Sequence, residues 1–288
     1  MAAPPLPSAS SASAPALPSW TSYSWLQEPT TRADSPAPTE TLEQRFPAPA
    51  PLRRAEVSPD SWEAWLRGLP LAAPETPVRS YRGDVLLTAN HPNIAAVIAI
   101  DPGSQDLQQC ADSILRLEGE WRWARGDRVI NYQAASGTSM PFARWQQGER
   151  PFPVNGGRTL AWKRQTAASA PTYGMFRSYL DAVFTYANTG SLFTQSRAVA
   201  PHELRAGDFF VEPGAPGHAV LVLDLVQGSD GRKHVLLAQG FMPAQNLHVL
   251  RPDGSSSPWF ALDETNPSVK TPFWKPFPWR SLRRLPRR

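Results

Sequence analysis

Two apolar runs separated by a turn constrain this chain more than any other feature. Ala219-Val220-Leu221-Val222-Leu223 is continuously apolar, His234 to Ala238 nearly so, and Gly228-Ser229-Asp230-Gly231 lies between them. Two such runs joined by a short Gly-containing polar loop read as a β-hairpin. A run apolar on both faces is buried on both, so the hairpin belongs in the middle of a domain.

The hairpin permits a geometric expectation. With the loop centred between Ser229 and Asp230, opposed residues number to a sum of 459, so that Val220 faces Gln239 and Val222 faces Leu237. Side chains alternate with period two, which puts His218 and Gln239 on one face as diagonal neighbours, roughly 7–8 Å apart by backbone. A Gln oxygen at that range can hold one imidazole nitrogen and fix the tautomer of the other. A bulge between them changes the parity and removes the pair. Asp224 shares the face on this count, but about 20 Å along the strand, too far to partner His218.

The 288 residues allow one large domain or two small ones. Of 32 prolines, 11 fall in the first 51 residues among Ala, Ser and Thr. Residues 1–55 therefore read as a disordered Pro/Ala/Ser-rich leader or linker, and 56–288 as a single α+β domain. The leader shows no charged segment followed by an apolar one, and no run of 18 apolar residues occurs, so neither a signal peptide nor a transmembrane segment is expected. The net charge of +4 hides an acid-free tail: residues 275–288 carry +6, which leaves −2 for the rest. A basic tail without a basic face argues against nucleic acid; the tail is expected to solvate the C-terminus or to touch an anionic surface. A single cysteine, Cys110, excludes an internal disulfide and a cysteine-based zinc site. No cofactor is indicated.

Along the chain, Ser58 to Leu66 reads as a short helix with Trp62, Trp65 and Leu66 on one stripe. Ile94 to Ile100 reads as a strand, and the following stretch to Trp121 as an amphipathic helix capped by Ser104 or Asp106. Cys110 lies in the first or second turn of that helix, and Asp112, Arg116 and Glu120 form a charged ridge along it. Pro171 to Tyr186 is a second amphipathic helix, with Phe176, Tyr179, Leu180, Val183 and Phe184 on one side. Residues Ser257 to Pro278 form an aromatic, proline-rich arm.

A cysteine near a helix start followed by a histidine on a strand is the residue order of a thiol nucleophile and its base. Cys110 is the candidate nucleophile, His218 the base and Gln239 the orienting residue, with a backbone amide near Cys110 contributing to an oxyanion hole. Each residue also has a structural reading. Cys110 serves equally as a small buried hydrophobe, His218 as a partner for backbone groups, and Gln239 as a brace. A metal set of His218, Asp224, His234 and His248 has no supporting spacing. Trp121 and Trp145 suit a binding cleft only if exposed together.

The segments SWEAWLRGLPL (61–71), QDLQQCADSILRLEGE (105–120), RAGDFFVEPGAPGHAVLVLD (205–224), LLAQGFMPAQNLHVL (236–250) and SPWF (257–260) resemble the bacterial domain-of-unknown-function family 4846, in order over about residues 58–280. That resemblance implies an exported or periplasmic protein, often a lipoprotein, and names no activity. The order of a helix-borne Cys, GD- and GH-led strands and a polar residue on the next strand is similar to NlpC/P60- and CHAP-type amidases. It implies a papain-like α+β fold, a central antiparallel sheet with the Cys-bearing helix packed on it, acting on peptidoglycan peptides. The D-C-S-G surround of their cysteine is replaced here by Gln109-Cys110-Ala111-Asp112. Two functions follow as expectations: an envelope thiol hydrolase or amidase using Cys110 and His218, or a non-catalytic module that binds an envelope polymer or protein.

Overall fold

The computed structural model describes residues 20–28 and 35–286. Its centre is a nine-stranded sheet in which every pairing is antiparallel. The strands are β1 (Arg53–Arg54), β2 (Ile94–Val97), β3 (Arg197–Ala198), β4 (Phe209–Glu212), β5 (His218–Gln227), β6 (Lys233–Gln239), β7 (His248–Leu250), β8 (Phe260–Leu262) and β9 (Leu282–Arg284). Their order is β3-β9-β4-β5-β6-β7-β2, with β8 added to β6 and β1 to β5. The hairpin of β5 and β6 is its middle: Ala219 to Val226 and Val235 to Gln239 are all buried, as expected of strands apolar on both sides.

The helices are α1 (Trp62–Arg67), α2 (Cys110–Ala124), α3 (Tyr173–Tyr186), α4 (Thr189–Thr194) and two shorter turns at Leu42–Arg45 and Phe142–Gln146. Among the described residues only α2 and α3 exceed six residues. The papain-like α+β architecture implied by the motif order is therefore corrected. A large antiparallel sheet with few helices organises the chain, because Cys, His and Gln in sequence order leave strand number and connectivity open.

The sheet has two covered faces. On the first, Ala219, Leu221, Leu223 and Ala238 pack with Ala111, Ile114 and Leu115 of α2 and with Trp62 and Leu66 of α1. On the second, Val220, Val222, Leu237, Phe210 and Leu282 pack with Phe260 and Phe277 of the aromatic arm. The alternation of the two sets along β5 is the period-two rule at work.

The register differs instructively from the expectation. Near the tip, Gln227 pairs with Lys233 and Val226 with His234, a sum of 460, so the turn is centred on Asp230. A bulge between Val222 and Asp224 then shifts the pairing, and Val222 faces Leu237 and Leu221 faces Ala238. The bulge thus offsets the one-residue difference at the turn instead of removing the His218–Gln239 pair. It also turns Asp224 away from His218's face to meet Arg67 of α1 at 2.9 Å and Arg54 of β1.

Composition placed residues 20–55 with the leader, yet those described carry structure. Trp25 is buried and its indole donates to the Ala99 carbonyl at 2.7 Å, and Leu42 is fully buried. Residues 1–19 and 29–34 lie outside the described residues. The basic tail is likewise partly built in: Arg284 of β9 is buried against Asp208 at 2.7 Å, and Lys275 pairs with Glu212 at 3.0 Å. Arg287 and Arg288 lie outside the described residues. No helix among the described residues is long and apolar enough to cross a membrane.

Candidate functional site

The site begins with the placement of Cys110. Helix α2 starts later than its polar lead-in suggests: Gln109 is the N-cap and Cys110 the first helical residue. Asp106 does not cap, because its carboxylate accepts from the Ala244 amide at 2.7 Å and from the Gln109 side chain at 3.1 Å. Asp112 reaches back instead to the Gln109 amide at 3.1 Å, the reciprocal half of a capping box. Gly240, the residue after Gln239, permits this helix start to approach β6. A Cβ there would lie 2.4 Å from Ser113 Oγ and 3.0 Å from the Gln109 carbonyl oxygen.

Three backbone N–H groups, from Ala219, Ala111 and Cys110 itself, point at the Cys110 sulfur. Amides at a helix start favour a thiolate, but burial dominates. It pushes the thiol up to about 11, with the Asp112 carboxyl adding to the effect. Asp112 is buried too, which raises its carboxyl to about 8, and its Oδ1 has no hydrogen-bond partner.

His218 opens β5 and is fully buried. Its Nε2 lies 2.7 Å from Gln239 Oε1. An amide oxygen only accepts, so Nε2 carries the proton and Nδ1 a lone pair. Nδ1 is buried and has no hydrogen-bond partner. The ring packs edge-on to Phe241 at 4.9 Å and against Trp274 at 4.9 Å and Phe277 at 6.1 Å. This apolar jacket depresses the imidazole to about 4, against the opposing effect of the hydrogen bond it donates to Gln239.

The structure therefore brings His218 and Gln239 into contact. Cys110 meets the same strand one residue on, at the Ala219 amide, from the face on which α2 packs. His218 shares the other face with Val220 and Val222. Sulfur and Nδ1 lie at the same end of the sheet and are not hydrogen-bonded to each other. Outside His218, the chain forms an open recess of about 720 Å³ lined by Pro216, Phe273, Trp274 and Lys275. Trp274 and Lys275 are tied to Glu212, which accepts from the indole at 3.4 Å and pairs with the ammonium at 3.0 Å. Phe273 holds a left-handed φ of 68°, a conformation in which a non-glycine residue is strained and which concentrates at functional sites.

His248, on β7 opposite Gln239, has a place that sequence reasoning missed. Its Nε2 lies 3.4 Å from Gln239 Nε2 and its Nδ1 2.9 Å from the Asn246 carbonyl oxygen. Among the described residues no cluster of His, Cys, Asp and Glu is arranged to hold a metal. Trp121 and Trp145 do not share a cleft. Trp145 is buried against Tyr179, whereas Trp121 lines a separate recess of about 580 Å³ with Trp20, Tyr23 and Trp65.

The family described as Domain of unknown function (4846) matches residues 42–284, which include every residue of this site. The chain belongs to that family. No curated protein and no solved structure matches it. The matched span begins at Leu42, so the helical turn at Leu42–Arg45, with its buried Leu42, lies inside the family domain.

Proposed function

We propose that this protein is a thiol hydrolase acting on amide or ester bonds, with Cys110 as nucleophile, His218 as base and Gln239 as the residue that orients His218. The observation that carries the reading is the unpartnered Nδ1 lone pair of His218, buried one residue from the amide that meets the Cys110 sulfur. The proton of Sγ passes to Nδ1, sulfur bonds to the carbonyl carbon, and the oxygen takes the charge beside the N–H groups of the α2 start. The Nδ1 proton then goes to the departing amine or alkoxide. Water then adds to the acyl carbon, giving its proton to the same nitrogen; the C–S bond breaks, the acid leaves, and Nδ1 returns the proton to the sulfur.

The closed site is at rest. With the thiol at about 11 and the imidazole at about 4, proton transfer costs on the order of 10 kcal/mol before the two ions attract. Turnover in this reading needs two movements. The end of the sheet must bring Sγ and Nδ1, which sit on opposite faces, together, and the Trp274 cover must open so that water and substrate reach Nδ1 and raise its basicity. Peptide or amide substrates of the cell envelope are the class to try first.

A second reading, a non-catalytic module that binds an envelope polymer or protein, is favoured by the burial of both Cys110 and His218. Hydrolysis of chromogenic esters and peptide amides separates the two. The first reading expects turnover that Cys110→Ala and His218→Ala both abolish. Binding without turnover supports the second, and turnover that survives Cys110→Ala removes Cys110 as the nucleophile.

A further inference from the structure

We propose that His248 is a positioning residue that dictates which nitrogen of His218 carries the proton. The inference builds on the reading of His218 as the base, although the tautomer is measurable without it. The chain of constraint starts at a backbone group that cannot change its role. The Asn246 carbonyl oxygen only accepts, and His248 Nδ1 is 2.9 Å from it, so that nitrogen bears hydrogen. His248 is fully buried and held neutral, its imidazole depressed by burial to about 4. Its Nε2 is therefore a lone pair.

Gln239 answers that lone pair. Its amide nitrogen, 3.4 Å away, donates to His248 Nε2, which leaves Oε1 turned to His218 at 2.7 Å. Exchanging the amide's nitrogen and oxygen would set two lone pairs against each other at His248. It would also point an N–H at His218 Nε2, driving the His218 proton to Nδ1. In that tautomer Nδ1 is a donor and cannot accept the proton of a thiol. The lone pair on which the hydrolase reading depends is thus fixed by a histidine that does not touch His218 directly, acting through one side-chain amide.

The test is the imidazole tautomer, read by long-range ¹H–¹⁵N correlation on uniformly labelled full-length protein near pH 7. The protein has five histidines, and His218→Ala assigns the relevant signals. In the wild type, His248 is expected as the Nδ1–H form and His218 as the Nε2–H form. His248→Phe keeps a ring of similar size and removes both nitrogens. It should move the His218 tautomer ratio toward Nδ1–H by up to about ten-fold, the weight of one ordinary hydrogen bond. Adding Gln239→Glu to that variant should restore Nε2–H above the imidazolium titration, because a carboxylate accepts whichever way it turns.

An unchanged His218 tautomer in folded His248→Phe overturns the proposal. So does an Nε2–H tautomer at His248 in the wild type, a result that needs no variant. A tautomer shift in a protein without hydrolytic activity leaves this inference standing and removes the hydrolase reading. Hydrolysis with an unshifted tautomer does the reverse.

Discussion

His218 Nε2 and Gln239 Oε1 face each other at 2.7 Å across the central hairpin, both buried, on the sheet face opposite to the one on which the Cys110 helix packs. The pair exists because a bulge in β5 and a turn centred on Asp230 offset one another. Everything proposed for the site depends on that register.

The cover over His218 is the first thing to remove. Trp274→Ala should let the imidazole titrate above its buried value of about 4, toward the ordinary 6.5, and should speed alkylation of Cys110 by iodoacetamide. Glu212→Gln loosens the same segment by releasing Lys275, and should act in the same direction more weakly. A His218 titration that stays put in Trp274→Ala by NMR would show that Phe241 and Phe277 alone keep the ring dry.

Gly240 is where β6 meets the start of α2. Gly240→Ala puts a methyl 2.4 Å from Ser113 Oγ and 3.0 Å from the Gln109 carbonyl oxygen. The helix start must shift, at a cost of about 1–3 kcal/mol. Urea denaturation checks the stability loss, and Cys110 alkylation should change with it. A variant as stable as the wild type would mean that the two elements are less closely fitted than described.

Stability should respond to pH through Asp112 and the two buried histidines with opposite signs. Asp112 keeps its proton up to about 8 in the fold but loses it near 3.8 when unfolded, so its contribution is lost as pH rises through that window. His218 and His248 sit at about 4 folded and 6.5 unfolded, so theirs is lost as pH falls from 6.5 to 4. Between 6.5 and 8 only Asp112 of the three acts, which predicts a fall of about 2 kcal/mol. Asp112→Asn should flatten that slope in denaturant titrations. The same slope in the variant would assign it to another group.

The interior of α2 carries a second buried polar set. Arg116 donates to Glu120 at 2.7 Å, Gln108 at 2.9 Å, Asp101 at 3.3 Å and Tyr173 at 3.4 Å. Burial raises the Glu120 carboxyl, with Arg116 opposing that effect. Arg116→Met strands the two carboxylates and should cost about 3–5 kcal/mol, read as a lower denaturation midpoint. A neutral substitution would place these groups in contact with water.

The hairpin and the pairing of His218 with Gln239 were legible because continuous apolar runs and period two act locally. What the sequence hid depended on distant partners. Asp106 looks like a helix cap, but the Ala244 amide occupies it, so α2 begins at Cys110. Asp112, Arg116 and Glu120 do form a charged ridge, with Arg116 and Glu120 paired at 2.7 Å, but its burial was hidden: Asp101 pairs with Arg116, Tyr173 donates to Glu120, and Asp112 is buried at the helix cap. His248 escaped notice because residues 240–247 form an irregular connection whose length sets no register. Trp25 and Leu42 were lost in an average composition that single buried anchors do not change.

The most direct test of the central claim is mass spectrometry of the chain after a short exposure to an activated ester. The account predicts an acyl adduct on the peptide containing Cys110, formed faster in Trp274→Ala and absent in His218→Ala. No adduct in either wild type or Trp274→Ala, or equal labelling with and without His218, would contradict it.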